Sequence, residues 1–176
     1  MFNVLIIDDQ EFKLKDITSK INTEVSTCTT AIDLLGAKRH LSSREYDLIL
    51  LDMTIKTLMT KNEFVGIEIL RFMDEEEIFC PVIVLTQFYN FKDLQCSDGK
   101  QGMFLVNEWY NKEVDDYTPS WGDIHELPNL HDYLSKNFSN YVGCVLYTQS
   151  DQSWVESLKK MLLKIRGEKY EGIIVG

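Results

Sequence analysis

The sequence predicts an α/β protein built on one doubly wound parallel sheet, and three observations predict it. Val4 to Ile7, Leu48 to Leu51 and Val82 to Leu85 are short, aliphatic and continuously apolar, as expected of strands buried on both faces. Stretches with helical spacing separate these runs, so strands and helices alternate and right-handed crossovers follow. Each run also leads straight into an oxygen-bearing side chain: Asp8 and Asp9, then Asp52, then Thr86. In such sheets the ligand crevice lies beyond the carboxyl ends of the strands. Three carboxylates and a hydroxyl delivered there suit a divalent cation and a phosphoryl group.

The elements follow in order. After the first strand, Glu11 to Ile21 reads as a helix. Glu24 to Cys28 is a candidate second strand. Thr29 or Thr30 is placed to cap a helix over Ala31 to Leu41, with Ile32, Leu34, Leu35 and Leu41 on one face. Tyr46 to Leu51 forms the third strand and Thr54 to Glu63 a loop. Phe64, Ile67, Leu70 and Met73 recur at helical spacing, which core packing explains. Pro81 suits the entrance to the fourth strand.

From Gln87 to Asn140 the alternation breaks. The segment is rich in aromatics, among them Phe88, Phe104, Trp109 and Trp121, and this argues against disorder. Leu127 to Phe138 reads as a helix starting near Pro128. Gly143 to Tyr147 gives a fifth strand and Ser153 to Ile165 a last helix; Met103 to Val106 is a weaker alternative for the fifth strand. Tyr170 to Gly176 is strand-like. The expected whole is a single domain over 1–176 with a long insertion at about 88–140, between strands four and five.

Lys and Arg number 18 against 28 Asp and Glu, a formal charge of −10. That balance repels nucleic acid and anionic lipid. The one basic cluster, Lys159, Lys160, Lys164, Arg166 and Lys169, lies at the end of the last helix, where cations complement the dipole. No apolar run reaches membrane-span length and no signal-peptide pattern is present, so a cytoplasmic location is expected. Cys28, Cys80, Cys96 and Cys144 lack metal-type spacing, and His40, His125 and His131 form no ligand pair.

Taken with these strand ends, the chain resembles the receiver domain of two-component response regulators, over about Met1 to Thr86 and Tyr141 to Ile165. The resemblance implies a five-stranded, flavodoxin-like fold. It implies that Asp52, in Leu50-Leu51-Asp52-Met53, accepts a phosphoryl group from a histidine kinase or phosphotransfer protein and signals to a downstream protein. It makes Asp8, Asp9, Asp52 and the Thr54 carbonyl ligands of Mg²⁺, and Thr86 the hydroxyl that contacts the phosphoryl oxygen. Gly66 matches the family's glycine near the start of the third helix. An interaction domain without enzymatic turnover is implied.

The chain departs from the family where a lysine normally ends the fifth strand. Tyr147 holds that position, or Thr148 under a one-residue shift, and the aromatic switch position falls on Cys144 or Val145. Lys92, Lys100 and Lys112 in the insertion are remote substitutes. The missing charge-assisted bond makes a pseudo-receiver, binding partners without phosphorylation, the alternative. A haloacid-dehalogenase-type phosphatase is a third reading, disfavoured because Gln10 stands where that family needs a second aspartate. Each aspartate alone also fits a simple cap.

Overall fold

The strand order β2-β1-β3-β4-β7, all parallel, sets the shape of the main sheet. The computed structural model describes residues 1–22, 25–55, 65–87, 90–95, 101–106 and 130–171. Its elements are β1 (Phe2–Ile7), α1 (Glu11–Ile21), β2 (Val25–Ala31), α2 (Leu34–Ser43), β3 (Leu48–Leu51), α3 (Val65–Glu75), β4 (Val82–Thr86), β5 (Asn90–Gln95), β6 (Gln101–Val106), α4 (Leu130–Asn137), β7 (Tyr141–Leu146) and α5 (Ser153–Glu171). The sheet is the five-stranded, doubly wound one expected.

The apolar runs are continuous because successive side chains serve two cores. Leu5, Ile7, Ile49, Leu51, Val82 and Val84 pack with residues of α2, α3 and α4. Val4, Ile6, Leu48, Leu50, Ile83 and Leu85 face the other way, onto α1 and α5. A half-buried sheet would show alternating polarity instead.

Some boundaries differ from the sequence reading. β2 extends to Ala31, so neither Thr29 nor Thr30 caps α2. Asp33 does, its carboxylate accepting from the backbone N–H of Gly36 at 2.6 Å. Ile32 and Leu35 are exposed, and the buried face of α2 is Ala37 and Leu41. Strand geometry outlasted the weak β signal because β2 pairs along its length with β1. Met103 to Val106 lies in β6, paired antiparallel to β5 in a separate two-stranded sheet, so β7 alone supplies the fifth strand. Tyr170 and Glu171 end α5 instead of opening a strand; 172–176 lie outside the described residues.

Residues 87–140 fall between β4 and β7, as expected of the insertion. Its final part is core: Leu134 and Phe138, on and just after α4, are buried with the α2 and α3 side. The helix start near Pro128 lies outside the described residues. No described helix is long and apolar enough to cross a membrane.

The end of α3 carries backbone strain. Glu77 has φ 53°, the left-handed region, while the N–H of Ile78 donates to the Met73 carbonyl at 2.9 Å. That is glycine's place after a helix. Glu77→Gly is expected to raise stability by about 0.5–1 kcal/mol, read as a higher midpoint in urea unfolding.

Candidate functional site: an acidic crevice closed by a buried lysine

The chain reverses winding direction between β1 and β3, since β2 lies outside β1 and β3 on its other flank. Ile7 pairs with Leu51 and Leu51 with Val84, so neighbouring strands end nearly level. The residues that follow therefore meet at one topological switch point. Ladder bonds continue past the strand ends: Asp8 N–H donates to the Ala31 carbonyl at 3.0 Å, and Asp52 N–H to the Ile7 carbonyl at 2.9 Å.

Carboxylate oxygens of Asp8, Asp9 and Asp52 lie within 4.8 Å of one another. Asp8 and Asp52 are buried and Asp9 is half-buried. One Asp8 oxygen accepts from the Gln10 N–H at 2.9 Å, which turns the chain into α1. Asp52 Oδ2 accepts from the Thr54 hydroxyl at 3.5 Å. Asp52 Oδ1 is buried and accepts no hydrogen bond from the described residues. Thr86 is fully buried at the end of β4, and Gln87 beside it is exposed.

The cation in this crevice comes from α1, not from the end of β7. Lys13 is 0 % exposed. Its Nζ lies 2.7 Å from Asp8 Oδ2 and 3.4 Å from Asp52 Oδ1, and donates to the Leu85 carbonyl at 2.9 Å. Asp8 and Asp52 continue the parity of Ile6 and Leu50, which face α1, and Lys13 meets them from that side. On the helix Lys13, Ile17 and Ile21 form one buried row with Leu14 beside it. The sequence reading missed Lys13 because a lysine among Lys15 and Lys20 looks solvated. The available signal was its place four residues before Ile17, on the apolar stripe.

Tyr147, just past β7, is buried as well. The Lys13 ammonium stands 5.3 Å from its ring centroid, within cation–π range, and the ring packs on Trp154 with centroids 5.1 Å apart. The Tyr147 hydroxyl donates to Asp16 Oδ2 at 3.0 Å, and burial pushes its pKa up to about 12. Of Cys144 and Val145, the two residues that the resemblance offers for the aromatic switch position, Val145 is buried and Cys144 partly buried. Lys100 and Lys112 lie outside the described residues, and Lys92 is on β5.

Burial dominates the electrostatics. It pushes the Asp52 pKa up to about 6; Lys13 opposes this and the Asp8 charge adds to it. Asp8 is raised for the same first reason, again opposed by Lys13. Burial thus raises both carboxyls by more than the single Lys13 ammonium lowers them.

Gly66 lies where α3 touches the crevice floor. A Cβ there would stand 2.8 Å from Met53 Cα and 2.9 Å from the Asp52 carbonyl oxygen. Both are backbone atoms and cannot swing aside. Gly66→Ala is expected to cost about 1–3 kcal/mol by overpacking, read as a lower urea midpoint.

No protein-family model matches the chain, and no curated protein matches it. Solved structures do. The receiver domain of a Francisella response regulator superposes with a TM-score of 0.53 at 16 % identity, covering 96 % of this chain and 99 % of its own. The receiver domain of a Luxo repressor-type protein from Vibrio parahaemolyticus gives a TM-score of 0.57 at 14 % identity, covering 99 % and 98 %. The Thermotoga maritima response regulator TrrA, solved in complex with Mg²⁺-BeF, gives 0.52 at 15 %, covering 92 % and 99 %. The sheet order, the crossovers and these superpositions together establish that the chain has the fold of a response-regulator receiver domain.

Proposed function

We propose that the chain is an atypical receiver domain of two-component signalling that binds Mg²⁺ and accepts a phosphoryl group at Asp52. The observation that carries this reading is the meeting of the Asp8, Asp9 and Asp52 carboxylates within 4.8 Å, with a buried Asp52 oxygen that accepts no hydrogen bond from the described residues. Hard oxygen donors of this kind fit Mg²⁺, with the Thr54 carbonyl as a further ligand. When bound, Mg²⁺ would offset the negative charge on the phosphoryl oxygens that otherwise repels a carboxylate approaching phosphorus. Asp52 is the nucleophile, held by its β3 ladder bond; the Thr86 hydroxyl donates to a phosphoryl oxygen. A histidine kinase or phosphotransfer protein is the donor and an unidentified downstream protein the receiver of the signal.

In this reading the chain performs no turnover of its own and works in the cytoplasm without nucleic acid or membrane. Residues 1–176 form one receiver-like unit, with the insertion at about 88–140 altering the face that partners recognise.

The test is a Mg²⁺ titration with and without beryllofluoride, a phosphoryl mimic. The expected result is Mg²⁺ binding that tightens when beryllofluoride is present, with perturbed fluorescence of Trp154 behind Tyr147. No binding of either would reject the reading and leave a phosphorylation-independent interaction module in its place.

A further inference from the structure

A lysine in the first turn of a helix opposes the helix dipole, and burial removes its hydration. Lys13 accepts both penalties. It lies in the opening turn of α1 and is fully buried. A local rule broken at a site of this kind calls for a compensating gain nearby. The gain is specific: the ammonium ion-pairs with both buried carboxylates, at 2.7 Å to Asp8 and 3.4 Å to Asp52, and donates a hydrogen bond to the Leu85 carbonyl.

The residue at the end of β7 completes the argument. Tyr147 fills the space beneath the ammonium with an aromatic ring and turns its hydroxyl away to Asp16. Strand position and charge have been separated: the strand supplies volume, the helix supplies the cation.

We propose that Lys13 is a transposed site lysine, holding Asp52 in the resting crevice and pairing with the phosphoryl group once Asp52 carries it. This rests on the phosphoacceptor reading above. In the transfer from acetyl phosphate, an Asp52 oxygen forms the new bond to phosphorus. Acetate leaves with the electron pair of the broken phosphorus–oxygen bond. Lys13 stays protonated throughout and moves no proton. Its ammonium, already between Asp8 and Asp52, needs only a small swing to reach an oxygen on phosphorus.

The experiment compares the full chain, Lys13→Met and Lys13→Met/Tyr147→Lys, each checked for folding by circular dichroism. Labelling by acetyl phosphate in Mg²⁺ is expected to fall about a hundredfold in Lys13→Met, the scale of losing one preorganised charge donor. It is expected to recover in the double variant, which returns a lysine from the strand. Calorimetry adds a readout that mere packing would not move: loss of a positive charge beside the ligand carboxylates tightens Mg²⁺ binding by about tenfold. Unchanged labelling and unchanged Mg²⁺ affinity in folded Lys13→Met, with the full chain labelled, overturn this inference and leave the receiver reading standing. A full chain that binds Mg²⁺ but takes no label overturns both. Should Lys13→Met not fold, the double variant decides: folded and labelled supports the transposition, folded and unlabelled refutes it.

Discussion

Asp52→Asn is expected to abolish labelling by acetyl phosphate while leaving the metal-free protein more stable near neutral pH. The two halves have different origins. Labelling stops because an amide is no nucleophile toward phosphorus. Stability rises because burial pushes the Asp52 pKa up to about 6 from 3.8. A carboxyl with a raised folded pKa binds more protons folded than unfolded between those values. Stability therefore falls as pH rises through that window and stays reduced above it. The neutral amide avoids the penalty, on the order of 1–3 kcal/mol. Urea midpoints from pH 4 to pH 7 check this: the metal-free wild type should lose stability across the range, and the asparagine variant should lose less. Added Mg²⁺ should stabilise the wild type by mass action and stabilise the variant less. A less stable asparagine variant at pH 7 would mean that the Lys13 pairing outweighs the burial of the charge.

Much of this site was legible in the order of residues. Buried parallel strands are continuous apolar runs, so β1, β3 and β4 declared themselves, and the oxygen-bearing residues after them marked the crevice. β2 was harder. Its residues are all partly or fully exposed except Ala31, because it is an edge strand with one neighbour, so its extent depends on pairing with β1 and not on composition. The cap at Asp33 was missed for a related reason: Thr29 and Thr30 are equally good cap chemistry, and only the strand's length decides among them. Lys13 was illegible for a different reason. A lysine's burial is decided by what meets it from other elements, here Asp8, Asp52 and Leu85, the last 72 residues away. At Tyr147 the resemblance leads one to expect a lysine, whereas the structure has a buried ring there with the buried Lys13 ammonium 5.3 Å from its centroid.

The pairing of Lys13 with Asp8 and Asp52 gives the largest stability effect expected here. Lys13→Met should destabilise the metal-free protein by about 3–5 kcal/mol where both carboxylates are charged, the scale of stripping one partner from a buried ion pair. Methionine fills nearly the same volume, so little of the loss is cavity. Lys13 is the main influence opposing the burial-driven rise in the pKa of both Asp8 and Asp52. Without it both rise further, and the unfavourable charged forms persist only above those higher values. The deficit relative to wild type therefore opens as pH rises above the wild-type Asp52 value of about 6, is present in part at pH 7 and grows above it, and is absent at pH 4.5, where the carboxyls are protonated and need no cation. Mg²⁺ should shrink it at pH 7 by another route, by supplying positive charge to the same oxygens. A packing defect would respond to neither acid nor metal. Urea unfolding of both proteins at pH 4.5 and 7, with and without Mg²⁺, separates the two causes. A deficit of constant size in all four conditions would show that the methylene stem of Lys13, and not its charge, is what the crevice requires.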